Sequence, residues 1–296
     1  MKITVAKNAG FCFGVKRAID IALESAKQEK PVYMLGDIVH NENVVKTIED
    51  AGIKKTKTIP KENKSSGLGY RKPNHGPLAS LLIRAHGSAQ KTLDTARKSR
   101  LNVIDATCPM VKEIHKIVID MDKKGYKILV IGDHKHDEVQ GIIGQIKHKA
   151  VVLENAEDIK AKITRKLPKA AVVVQSTQNL EKALKMQNIL KDRVEDLKFF
   201  NTICAPTRMK QEEIKSLAEA NDRVIVIGSK TSANTKRLYE IAKSINPRSY
   251  WVNSTADIQS EWLKKAKSIG ITAGASTPDE TIEEIKDYIQ ENRLRR

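Results

Sequence analysis

The sequence predicts an α/β protein of three similar α/β units arranged around a pseudo-threefold axis, with one shared site at the centre. Three observations carry the architecture. Short β-branched runs alternate with longer amphipathic stretches, which is the pattern of mostly parallel sheets covered by helices. Cys12, Cys108 and Cys204 stand 96 residues apart. The glycines ending three similar strands, Gly36 in YMLGDIVHN, Gly132 in LVIGDHKHDEV and Gly228 in IVIGSKTSAN, repeat at the same interval.

In chain order, the runs KITVA, PVYML, SLLIRA, YKILVIG, KAVVLE, AAVVVQS, RVIVIG and SIGITAG read as strands. Between them VKRAIDIALESAKQ, PMVKEIHKIVIDMDKK and RMKQEEIKSLAEA place apolar residues at helical spacing. A second strand end recurs more loosely, as IRAHGSA around His86, VVQSTQN around Ser176 and Thr177, and TAGASTPD around Ser276. The repeat divides the chain into units at 1–107, 108–203 and 204–296. In the first unit SSGLGYRKPNHGP reads as an insertion near residues 65–80, so the equality of the two intervals is partly coincidence.

Composition narrows the function classes. The 296 residues are 40% hydrophobic and 30% charged, and no apolar run approaches the ~20 residues of a membrane span. The start, MKITVAKNAGFCFG, lacks the apolar core of a signal peptide, so a cytoplasmic location is expected. An odd number of cysteines without an export signal argues for reduced thiols rather than a disulfide framework. A net charge of +17 favours anionic partners. Nucleic acid is disfavoured among them, because aromatic residues are only 4% and the lysines mix with glutamates on helical faces.

Each cysteine precedes a helical stretch, in GFCFGVKRAIDIA, DATCPMVKEIHKIV and NTICAPTRMKQEEI. A thiolate at a helix N-terminus is stabilised by the dipole and free N–H groups, which suits a metal ligand or a nucleophile. One such cysteine alone would read as a small core residue; three in matching contexts read as one site. Three thiolates without a fourth suit an iron–sulfur cluster with one iron open, with zinc as the competing metal. The loops at the presumed centre bring His40, His86, His136, Glu138, Thr177, Ser232, Asn234 and Ser276, a set that can surround a phosphate while Glu138 delivers protons. His134 and His136 form H-x-H, but only His136 occupies the repeat position matching His40, so His134 is left out; His75, His115 and His148 have no recurring partner and read as surface residues.

These residues together resemble the 4-hydroxy-3-methylbut-2-enyl diphosphate reductase family over nearly the whole chain. The segments that carry the likeness are GFCFGV, DIVHN, RAHG, DATCP, HDEVQG, QST, TIC, KTSAN and TAGAST. The resemblance implies a [4Fe-4S] cluster on Cys12, Cys108 and Cys204, with the fourth iron binding the substrate's terminal hydroxyl. It implies that an acidic ferredoxin or flavodoxin supplies two electrons singly, that two protons are taken up, and that isopentenyl and dimethylallyl diphosphates are formed. Glu138 is then the proton source, with Thr177 and His136 in its relay, while His40, His86, Ser232, Asn234 and Ser276 hold the diphosphate. The chain departs from the family pattern at Ala233, where a second serine is common, and at Ser176, which stands for threonine. Two other classes remain at this point: a hydro-lyase on an open-iron cluster, which needs no reductant, and a basic metal-bearing regulator that binds nucleic acid.

Overall fold

In the computed structural model residues 1–60 and 79–292 are described. His75 and most of the stretch read as an insertion lie outside the described residues. Twelve described strands form three parallel four-stranded sheets. The first holds β2 (Val32–Leu35), β3 (Lys54–Thr56), β4 (Ser80–Ile83) and β5 (Asn102–Asp105), in the order β3-β2-β4-β5. The second holds β6 (Lys127–Ile131), β7 (Val151–Leu153), β8 (Leu167–Val174) and β9 (Val194–Phe200), in the order β7-β6-β8-β9. The third runs β11-β10-β12-β1, with β10 (Arg223–Ile227), β11 (Ser249–Val252), β12 (Ser268–Ala273) and β1 (Lys2–Val5). The three orders are the same order, so the repeat in sequence is a repeat in topology.

The third sheet is completed by the start of the chain. Lys2 pairs with Ser268 and Val5 with Ile271, so β1 sits beside β12 although its numbers fall in 1–107. This places each cysteine at a hand-over between units. Cys12 follows β1 of the third sheet, Cys108 follows β5 of the first, and Cys204 follows β9 of the second. The helices they open cover the next sheet along. In α1 (Phe13–Ala26), Ala18 and Ala22 pack with Val32 and Met34. In α4 (Pro109–Lys123), Ile114 and Val118 pack with Ile128 and Val130. In α8 (Ala205–Ala220), Ile214 and Leu217 pack with Val224 and Val226. Parallel strands covered on both faces read as continuous apolar runs, which is why KILVI and RVIVI are buried almost throughout.

Candidate active site

The cysteine ring follows from the hand-overs. Each cysteine is the N-cap residue before its helix, and none makes the side-chain cap bond that serine or aspartate would make there. All three thiols are free and partly buried. A Cβ placed on Gly14 would lie 2.5 Å from Cys108 Sγ, so the second position of α1 must be glycine for the Cys108 thiol to sit against it. Cys204 Sγ lies 3.1 Å from Thr207 Oγ1. Burial pushes the Cys108 and Cys204 thiols above their usual range, against the pull of nearby N–H donors. In the bare protein these thiols resist ionisation, and a bound soft cation is what would hold them as thiolates. The donor set of three sulfurs, one from each helix start, therefore fits an iron–sulfur cluster with one iron free of protein ligands.

A second ring comes from the loops after the glycine-ended strands. His40 stands two residues before α2 (Glu42–Asp50), His136 caps α5 (Asp137–Ile143), and Ser232 caps α9 (Ala233–Ile245). These three residues are also 96 apart. The imidazoles of His40, His86 and His136 form a compact cluster with ring centroids 4.4, 5.2 and 5.3 Å apart. Burial holds all three below the ordinary histidine pKa, with His136 at about 4 and His86 also disfavoured as a cation by its two histidine neighbours. His136 Nδ1 accepts a bond from the Glu138 N–H at 3.2 Å, leaving Nε2 as the nitrogen that carries the proton. Ser276 Oγ donates to the His40 carbonyl at 3.0 Å.

Glu138 lies where the two rings meet. It is 1% exposed, and both carboxylate oxygens accept bonds from Ser176: Oε1 from the N–H at 2.6 Å and Oε2 from the hydroxyl at 2.7 Å. Burial raises its pKa, and the Ser176 bonds oppose that rise without overcoming it. All eleven residues named above as candidates line one cavity. Thr177 Oγ1 accepts a bond from Gln175 Nε2 at 2.9 Å, and the side chain bonded to the Glu138 carboxyl is Ser176. His115 is a correction: it is half-buried against Gly87, and burial lowers its pKa to about 4. His134 and His148 are exposed.

Several polar atoms of this cavity are buried and unpaired. His40 Nε2, His86 Nδ1 and both side-chain atoms of Asn234 have no hydrogen-bond partner. A buried polar group without a partner costs about 1–3 kcal/mol, so four such atoms converging on one space mark a place for a polar ligand.

Comparison with known proteins agrees with this geometry. A family model described as LytB protein matches residues 3–290. The chain belongs to the LytB family. Among curated LytB relatives, one from Aquifex aeolicus (strain VF5), named 4-hydroxy-3-methylbut-2-enyl diphosphate reductase, is 39% identical over 293 residues, covering 98% of this chain and 96% of the relative. A relative of the same name from Clostridioides difficile (strain 630) is 37% identical, covering 98% and 99% of the two chains. A solved structure described as (E)-4-hydroxy-3-methyl-but-2-enyl diphosphate reductase, the terminal enzyme of the non-mevalonate pathway, matches with a TM-score of 0.67 at 37% identity, over 98% of this chain and all of the other. The E-1-hydroxy-2-methyl-but-2-enyl-4-diphosphate reductase from Plasmodium falciparum matches with a TM-score of 0.84 at 27% identity, over 97% and 87%.

The inter-unit contacts around the LytB cavity were not legible beforehand. Arg237 is buried and donates to both oxygens of Asp133, at 2.6 and 2.8 Å, and to Gln178 Oε1 at 2.8 Å. Ser229 Oγ donates to Glu42 Oε1 at 2.7 Å, and Arg84 bonds Asp137. The available signal was position: Asp133 and Ser229 each follow a strand-ending glycine.

Proposed function

We propose that this LytB chain reduces 4-hydroxy-3-methylbut-2-enyl diphosphate to isopentenyl and dimethylallyl diphosphates, removing the terminal hydroxyl as water with two electrons and two protons. One observation carries the reading. A single cavity joins three N-cap thiols to unpaired donors on His40, His86 and Asn234, with the buried Glu138 between them.

The diphosphate end is held by side-chain donors and helix starts. His40, His86 and His136 offer ring N–H groups, and Ser232, Asn234 and Ser276 add hydroxyls and an amide. The N-termini of α2 and α9 add the positive ends of their dipoles. These residues would surround the anion and fix the allylic alcohol toward Glu138. The three histidines also lie close enough to hold a cation, with ligand atoms within 4.8 Å of one another. The hydroxyl and amide neighbours favour the anion.

A [4Fe-4S] cluster on Cys12, Cys108 and Cys204 supplies, when bound, electrons one at a time and a Lewis-acidic iron. The chain's own contribution at the reacting end is the proton. Glu138, with its pKa raised, retains a proton closer to neutrality than an exposed glutamate and can deliver it to the departing oxygen. Ser176 orients the carboxyl through two bonds, and His136 adjoins it through the backbone N–H. We infer that an acidic ferredoxin or flavodoxin donates the electrons and that the enzyme works in the cytoplasm.

The test is the iron and sulfide content of anaerobically reconstituted protein, with its visible spectrum followed during titration with the allylic diphosphate. About four irons per chain and a substrate-perturbed spectrum support the reading. One zinc, or no metal, with no response to the diphosphate overturns it. In Cys108→Ser, iron retention should be lost.

A further inference from the structure

We propose that the solvent face formed by the starts of α1, α4 and α8 is the docking surface for the acidic one-electron carrier; the proposal rests on the reductase reading above. Among the described residues five large apolar side chains are exposed. Three of them stand at these helix starts: Phe13 at 71%, Met110 at 48% and Met209 at 53% exposure. Each lies within five residues of a cysteine, on one of the three helices that converge on the cavity.

The contacts around the cysteines tie these starts into one rim. Gly14, next to Phe13, packs on Cys108. Arg17 reaches the Thr107 carbonyl at 3.3 Å, across from α1 to the strand end before α4. Lys210, next to Met209, reaches the Gly10 carbonyl at 2.8 Å, two residues before Cys12. Met110 both lines the cavity and is half exposed, so one side chain spans from the cysteine chamber to solvent.

The charge of the rim selects the partner. Acidic residues are normally favoured in the first turn of a helix, where they meet the positive end of the dipole. None occurs in the first turn of α1, α4 or α8. Lys16 and Arg208 are exposed there instead, and Lys112, at the same position in α4, is bonded to Asp105. Further along the helices, Glu113 and Glu212 are paired with Lys116 and Lys215, and Asp20 of α1 is the exposed acidic side chain in the corresponding turn. An apolar centre within a positive border suits a small, transient contact with an acidic protein, in which border charge governs the on-rate and the apolar centre the closeness of approach. Electron-transfer encounters of this kind bury under about 1,200 Å², so three apolar side chains are a substantial centre.

The test uses the cluster-loaded full chain and two variants, Lys16→Glu/Arg208→Glu and Phe13→Ser/Met209→Ser. Turnover is driven either by a reduced acidic ferredoxin or by reduced methyl viologen, which needs no protein-sized surface. The expected result is a fall of about tenfold or more in kcat/KM for ferredoxin, largest at low salt for the charge variant. Viologen-driven turnover and iron content should stay at the wild-type level. Unchanged ferredoxin kinetics in the charge variant, whose exposed side chains leave the core intact, would overturn the surface. A parallel loss with both reductants would also overturn it, by placing the effect at the cluster. Wild-type protein that loads iron but fails to turn over with viologen would refute the reductase reading itself and this surface with it.

Discussion

A glutamate on the surface is ionised at neutral pH, but Glu138 is enclosed and its carboxyl holds a proton to higher pH. Its protonated fraction falls as pH rises through the raised pKa, so an alkaline limb in kcat is expected from this residue. Glu138→Gln keeps the shape and the Ser176 contact but has no proton to give. Turnover should drop by about 10²–10⁴-fold, with iron content and diphosphate binding retained; near-normal turnover removes Glu138 from its role. The histidine ring has the opposite sign. Burial keeps His40, His86 and His136 neutral in the free protein, His136 down to about pH 4. Their contribution to stability is present above the unfolded value of ~6.5 and is lost as pH falls through the folded pKa. A diphosphate seated among them favours the protonated form, so binding should take up protons and tighten as pH falls toward 6. Calorimetry of inorganic diphosphate binding in two buffers of different ionisation heat measures this; identical heats would sink it.

Secondary elements show which parts of the chain announce themselves. Helix starts after cysteine were legible from the apolar spacing that follows each one, and Pro109 and Pro206, at the first and second positions of their helices, suit those starts because proline is preorganised there. The central strands β6, β8, β10 and β12 were legible because two covered faces make continuous apolar runs. Four edge or short strands escaped: β3, β5, β9 and β11. VEDLKFF in β9 mixes charged and apolar residues because one side of an edge strand meets water, and KKT in β3 has no apolar residue at all. Gly14 shows how local preference and site geometry compete within one element. Alanine inside a helix gains up to ~1 kcal/mol over glycine, but its Cβ would meet the Cys108 sulfur at 2.5 Å. Gly14→Ala should therefore leave thermal stability of the metal-free protein within ~1 kcal/mol of wild type. Iron retention should fall sharply. Full iron content with an unchanged visible spectrum would show that the thiol does not need that space.

At the scale of the molecule, the 96-residue period made the threefold plan legible, while the clasps that close it were not, because each joint uses different chemistry. The first and second units meet through Arg84 and Asp137, the second and third through Arg237 and Asp133, and the third and first through Ser229 and Glu42. The ring also closes covalently unlinked, through β1 beside β12. Arg237 is the clasp with most at stake: its side chain is 6% exposed, whereas Asp133 retains 37%. Removing one partner of a fully buried pair costs about 3–5 kcal/mol, and the exposure of Asp133 lowers the expectation to about 2–3 kcal/mol. Arg237→Met should thus lower the thermal midpoint by several degrees, roughly 2–4 °C per kcal/mol in a chain of this size class. It should also raise KM for the diphosphate more than it lowers kcat, because Ser232 and Asn234 stand on the third unit and His136 on the second. Lys27→Ala, which breaks an exposed pair with Glu24, is the control and should shift stability by under ~1 kcal/mol. If Arg237→Met changed stability but left KM at the wild-type value, the clasp would hold the fold together without setting the width of the site.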